Sequence, residues 1–234
     1  MKEIITDLEK LSNACDLTVL QDEAKLNETI ADIKDILFEN KDLVALSAPQ
    51  IGVNAQLFCI KFANNDIRTF INPMIKKQTG LHLSRESSPS IPNKEFIKTR
   101  FDEVEVAYQT PTGVIELNLF KGAVGEVFQQ MYDLLFGITP DMFGLEVIEG
   151  WDDASEEERQ EVIDFWLKSL EEETVKAKEA VENDPKSKQI NDAIDFMIGV
   201  DNGTIETQTT TIKLNHNQRR LLNKLAKKKA KVVK

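Results

Sequence analysis

Cysteine, histidine, tryptophan and tyrosine each occur only twice in this 234-residue sequence. Two thiols, Cys15 and Cys59, cannot build a disulfide framework, which excludes a small disulfide-stapled scaffold and makes a reducing compartment the expectation. The two imidazoles, His82 and His216, lie far apart, so no pair of histidines at helical spacing is available to grip a metal. No apolar run approaches the roughly 18 residues of a membrane span, and no basic start leads into an apolar signal segment. The expectation is a soluble protein that is not secreted. Gly122-Ala123-Val124-Gly125 has no Lys-Ser/Thr after it, which excludes a phosphate-binding loop. There is no internal repeat.

Basic charge is scarce over most of the chain. It holds 29 Lys and Arg against 40 Asp and Glu, and its net charge is -11. Eight of the 29 fall between His216 and Lys234, leaving 21 basic against 40 acidic side chains in the rest. An acidic body would repel phosphate, so a broad nucleic-acid face is excluded there. What the sequence does have is core material. Hydrophobic residues make up 41%, enough for one large domain or one domain with an extension.

Periodicity places the elements. Residues 25–39 read as a helix with Leu26, Ile30, Ile33 and Leu37 on one stripe. Leu43–Val53 reads as an extended segment and turn around Pro49. Gln56–Phe62 and Ile67–Ile71 read as strands joined at Asn64-Asn65-Asp66, with Cys59 as a small buried hydrophobe. Thr79–Asn93, rich in Ser, Pro and Gly, is expected to be loop. Val104, Val106 and Tyr108 alternate as a strand, Pro111-Thr112-Gly113 turns, and Val114–Phe120 returns. Ala123–Phe136 is then a helix with an apolar face. Beyond it, Ser155 and Glu158 form a capping box for a helix to about Val181, with a stripe of Val162, Phe165, Trp166 and Leu170. Asn183-Asp184-Pro185 breaks it. A helix through Ile190–Ile198, a turn at Asp201-Asn202-Gly203, an extended Thr204–Leu214 and a basic final helix capped by Asn215 or Asn217 complete the reading.

Three ordered stretches carry a resemblance. LVALSAPQIG (Leu43–Gly52), ESSPSIP (Glu86–Pro92) and QQMYDLLFG (Gln129–Gly137) are similar to the three motifs of the peptide deformylase family. Asn72-Pro73, Arg100 and Gly113 also stand where that family has such residues.

The resemblance implies a metal held by a thiolate and two imidazoles four residues apart on a helix. Ser88, Gln130 and Leu134 stand at those positions. Serine hydroxyl and glutamine amide are poor ligands for zinc or iron, and leucine is none. The implied general base is a helix glutamate, and Met131 stands there. Of two implied oxyanion donors, Gln50 is retained, while Pro89 has no N–H to give. One lost donor costs about 3 kcal/mol of transition-state stabilisation. Glu86 and Asp133 lack any histidine or thiolate support for a metal, and Asp133 is expected to hydrogen-bond nearby backbone. Val127, Met131, Leu134 and Leu135 are expected to fill the centre as plain core.

These residues lead to an expectation of no cofactor, no metal and no enzyme. The expected fold is α+β, with peptide deformylase-like antiparallel sheets around a central helix in residues 1–138 and a mainly helical extension with a basic tail in 139–234. The expected role is structural: a virion component of a tailed bacteriophage, such as a neck or head–tail connector ring protein. A peptide- or protein-terminus binding module using the groove near Gln50 is the alternative, and a residual metallohydrolase the third. Protein partners and a homo-oligomer follow from that role, in a virion or host cytoplasm and with no membrane. Trp151, Phe165 and Trp166 are either core of the extension or partner anchors. Arg219, Arg220, Lys224, Lys227 and Lys228 offer the tail to an acidic protein surface or to nucleic acid.

Overall fold

The computed structural model describes residues 2–62 and 66–181, with side chains as far as residue 172. The Asn64-Asn65 turn, everything expected after Val181 and the basic tail (Arg219, Arg220, Lys224, Lys227, Lys228) lie outside the described residues. The chain divides into two compact units, Met1–Val147 and Ile148–Lys234.

In chain order the first unit comprises α1 (Leu8–Leu11), α2 (Glu23–Glu39), β1 (Ala45–Ser47), a 3-10 turn (Ala48–Ile51), β2 (Leu57–Lys61), β3 (Ile67–Thr79), β4 (His82–Ser88), β5 (Ile91–Arg100), β6 (Glu103–Gln109), β7 (Ile115–Lys121), α3 (Gly122–Leu135), α4 (Pro140–Phe143) and β8 (Leu145–Glu146). One antiparallel sheet runs β1-β2-β3-β6-β7 and a second runs β4-β5-β8. Because β8 pairs with β5, residues just past 138 fold with the first unit.

Strand alternation explains the layers. Phe58 and Ile60 point to one face of β2 and join Phe70, Val104, Val106, Tyr108 and Phe120 against Phe128, Met131, Leu134 and Leu135 of α3. Leu57 and Cys59 point to the other face and meet Leu26, Ile30, Ile33, Ile36 and Leu37 of α2. Both faces of β2 are therefore covered, and all four residues Leu57–Ile60 are buried. Among the described residues nothing comparable covers the outer face of β7, where Ile115, Leu117 and Leu119 stay exposed.

Two regions depart from the sequence reading. Strand β3 continues past Ile71 to Thr79, through a register shift between Ile71 and Met74. Asn72 sits there at φ 46, and its side chain accepts the Thr18 N–H (2.7 Å) and donates to the Thr18 carbonyl (3.0 Å). The expected loop Thr79–Asn93 is instead β4 and the start of β5, paired from His82↔Arg100 to Ser88↔Ile91. The inward residues of β4 are Ser84, Glu86 and Ser88, so its alternation is polar and escapes a reading based on hydrophobicity.

Gly137 closes α3 at φ 75, and a Cβ there would stand 2.6 Å from the Ser12 carbonyl oxygen. Gly137→Ala is expected to lose more than about 1 kcal/mol from combined strain and clash, read as a lower urea midpoint. An unchanged midpoint would show that the Ser12 backbone yields freely.

In the second unit the capping box forms as expected. Ser155 Oγ accepts the Glu158 N–H (3.2 Å), and Glu158 Oε2 accepts the Ser155 N–H (3.0 Å). It opens α5 (Glu156–Val181). Trp151 is buried, Trp166 half-buried and Phe165 exposed at 49%. Among the described residues no helix is long and apolar enough to cross a membrane.

Candidate functional site

Helix α3 lies between the sheets, and its polar side faces β4 and β5. Gln129 anchors it: its Oε1 accepts the Phe101 N–H (2.9 Å), and its Nε2 donates to the Phe101 (3.0 Å) and Gly125 (3.1 Å) carbonyls. A buried charge cluster sits nearby. Arg100 donates from Nη1 to Asp133 Oδ2 (2.8 Å), from Nη2 to Glu86 Oε2 (2.9 Å) and from Nε to Glu86 Oε1. Lys98, two residues earlier on the same face of β5, adds a bond to Asp133 Oδ2 (3.2 Å). All four side chains are buried.

Burial by itself would raise the Asp133 pKa, but the Arg100 charge and then the Lys98 charge outweigh it, and the carboxyl lies below its ordinary value. Burial works against the Arg100 cation too. Asp133 and Glu86 reverse that, and its pKa is raised. The expected backbone partner of Asp133 is thus corrected: its oxygen is taken by two cations, because α3 packs against the inward face of β5. Glu86 and Asp133 share Arg100 and are not arranged as metal ligands. Lys98 gave no signal in the sequence. A lysine in a strand of mixed composition reads as exposed until the carboxylate from a distant helix is in place.

The first motif shapes the end of β1. Gln50 is fully buried, and its Oε1 accepts both the backbone N–H and the hydroxyl of Ser47 (3.0 Å each). Its Nε2 donates to Ser90 Oγ (3.2 Å), tying the first motif to the second. Ser90 N–H in turn donates to Ser88 Oγ (3.3 Å). Gln130 Nε2 donates to the Ser87 carbonyl (2.7 Å), joining the third motif to the second. Met131 and Leu134 are buried in the apolar cluster beneath, with Val127 packed against it. The structure therefore gathers Gln50, Ser88, Pro89, Gln130 and Met131 around one place, as the order of the motifs implied.

A groove of about 520 Å³ opens there, lined by Val44, Ala45, Ser87, Ser88, Pro89, Ile91, Gln130 and Met131 among others. Strand β1 is an outer strand, so the edge it turns away from β2 is unpaired among the described residues. The Lys61 N–H donates to the Val44 carbonyl (2.7 Å), so antiparallel alternation turns the N–H and C=O of Ala45 away from β2.

The residues present do not fit the metal that the resemblance implies. The Ser88 hydroxyl is a weak donor already accepting an N–H, the Gln130 amide oxygen is a poor ligand for zinc or iron, and Leu134 is hydrocarbon in the core. Elsewhere, His82 is held between Asp102 (2.7 Å) and Glu126 (3.2 Å), one carboxylate on each ring nitrogen. Cys59 is buried, and burial pushes its thiol up to about 11, which suits a core residue and not a nucleophile.

Known proteins resemble this chain over the same region. A peptide deformylase of Karelsulcia muelleri is 34% identical over 119 residues, 48% of this chain and 61% of that protein's length. The crystal structure of a peptide deformylase from Thermotoga maritima superposes with a TM-score of 0.54 at 25% identity, covering 62% of this chain and 96% of the other. A structure of a probable peptide deformylase from Synechococcus phage S-SSM7, at 21% identity and a TM-score of 0.54, covers 59% and 95% and shows a common fold. The expected α+β architecture matches these structures. One expectation is overturned. Ser88, Gln130, Met131 and Leu134 suggested a protein that is not an enzyme, yet the relatives it matches are named for an enzymatic activity. With the model of the polypeptide deformylase family matching residues 1–141, well over half of its length, the chain belongs to that family.

Proposed function

We propose that this protein takes the end of a peptide chain into the groove between β1 and the β4–β5 turn, holding it extended against Ala45. The free edge of β1 carries this reading. An added strand bonds to an unpaired N–H and C=O while pockets alongside take its side chains. Val44, Ile91 and Met131 supply apolar lining, and Ser88 and Gln130 supply polar groups beside them. The name shared by the relatives, peptide deformylase, supports a peptide as the ligand. A role in a virion connector draws no support from the phage structure, since 21% identity speaks to fold alone.

Titration calorimetry of the full chain with an N-formyl-methionyl peptide and its unformylated twin tests the proposal, with formate release followed in parallel. Ala45→Pro removes the outward N–H without touching a β1–β2 bond, as an outer strand allows. Peptide affinity is expected to fall at least about tenfold, the worth of one hydrogen bond of roughly 1.4 kcal/mol. Equal affinity for the wild type and Ala45→Pro would rule the β1 edge out.

A further inference from the structure

Strand β7 ends the five-stranded sheet opposite β1 and, among the described residues, is bonded only to β6. Ile115, Leu117 and Leu119 are 68%, 67% and 52% exposed, and Met74, in line with Leu117 across Ala107, is 53% exposed. Single exposed apolar residues are ordinary, but a contiguous apolar row on an open strand is not. Outer strands in monomers are commonly protected by proline, a bulge or an inward charge. Strand β7 has neither proline nor a break in register, and its charges, Glu116 and Lys121, cancel. In a chain of net charge -11, this strand with balanced charges lets two copies meet without the repulsion of the acidic surface.

Hydrogen-bond alternation says which groups are free. The Thr110 N–H donates to the Val114 carbonyl (2.9 Å), which makes that pair a bonded one. Counting along the ladder, Glu116 and Asn118 bond to Tyr108 and Val106, so Ile115, Leu117 and Leu119 turn their N–H and C=O outward. The same three residues thus present apolar side chains and open backbone groups.

We propose that a second copy of this chain pairs antiparallel with β7 about a two-fold axis at Leu117, merging the two five-stranded sheets. In this register Leu117 faces its own copy and Ile115 faces Leu119. On the opposite sheet face Glu116 meets Asn118; Lys121, on the Leu117 face, meets Gly113, and no like charges oppose each other. Shifting the axis to Asn118 sets Ile115 against Lys121, which leaves the Leu117-centred register the better matched. Opposed apolar pairs on one face are the unit of sheet stabilisation.

Light scattering of the full chain over a concentration series, combined with two cysteine variants, tests this. The wild type is expected to be a dimer, and Leu117→Lys, which opposes two ammonium groups at the axis, a monomer whose circular dichroism matches the wild type and whose unfolding midpoint no longer rises with protein concentration. In a bonded antiparallel pair Cα atoms lie about 5.5 Å apart, within the ~4.4–6.8 Å a disulfide spans. Leu117→Cys is therefore expected to crosslink to itself under mild oxidation, while Leu119→Cys, facing Ile115, is not. Native Cys15 and Cys59 are buried and do not compete. A monomeric wild type would leave the strand to another partner and overturn the proposal. So would a dimer indifferent to Leu117→Lys, or a Leu119→Cys that crosslinks as readily as Leu117→Cys. Were Leu117→Lys to unfold, the pair of cysteine variants still decides.

Discussion

Arg100→Ala is expected to destabilise the first unit by about 3–5 kcal/mol, the range found when one partner of a buried ion pair is removed. The reason is what it leaves behind. Glu86 has Arg100 as its ion-pair partner among the described residues, and Asp133 would keep only Lys98. Both carboxylates are buried, so water cannot replace the guanidinium without opening the contact between α3 and β5. The sign of the pH dependence follows from Asp133. Its folded pKa is lowered, so its contribution is fully present above the unfolded Asp value of ~3.9 and is lost as pH falls through the lower folded value. The gap between the wild type and Arg100→Ala in urea unfolding should be widest near neutrality and narrow below about pH 4. A gap that stays constant from pH 7 to about pH 3 would mean that Asp133 is not the group Arg100 serves.

Phe128→Ala should cost a similar amount, about 3–5 kcal/mol, through an unrelated mechanism. Phe128 is fully buried at the centre of an aromatic cluster, with ring centroids 5.2 Å from Phe58, 5.4 Å from Phe70, 5.5 Å from Phe120 and 6.3 Å from Tyr132. Its neighbours come from β2, β3, β7 and α3 itself, so no single element can shift to fill the gap. The edge-on geometry against Phe58 and Phe70 (79° and 86°) adds attraction beyond area, about 0.5–1.5 kcal/mol per aromatic pair. This loss should not change between pH 4 and pH 8, which separates it from the Arg100 case. A loss under about 1.5 kcal/mol would show that the cluster collapses around the alanine.

Much of the fold was legible because its elements obey simple periods. Helices α2 and α3 carry apolar stripes, β2, β6 and β7 alternate or run apolar, and glycine at positive φ marks the turn at Gly113. The order of the three motifs also foretold that Gln50, Ser88 and Gln130 would share a site. What hid was polar and buried. Thr79–Asn93 reads as loop because β4 turns Ser84, Glu86 and Ser88 inward, and these satisfy partners that only the fold supplies: Glu126 for Ser84, Arg100 for Glu86, Ser90 for Ser88. The site was read by its substitutions alone, which led to an expectation of inactivity that the named relatives overturn.

By itself, then, the sequence determined the element types of most of the first unit, its family motifs and the absence of an imidazole pair at helical spacing. These are local matters: a period of 3.6 or 2, a glycine, a residue's own chemistry. Only the tertiary structure decided that Lys98 is buried against Asp133, that the Ala45 edge opens onto a groove, and that Ile115, Leu117 and Leu119 of β7 stay exposed. Each of those depends on which element packs over which. Helix α2 covers the outer face near β1, β2 and the start of β3, and no period along one strand records the reach of a distant helix.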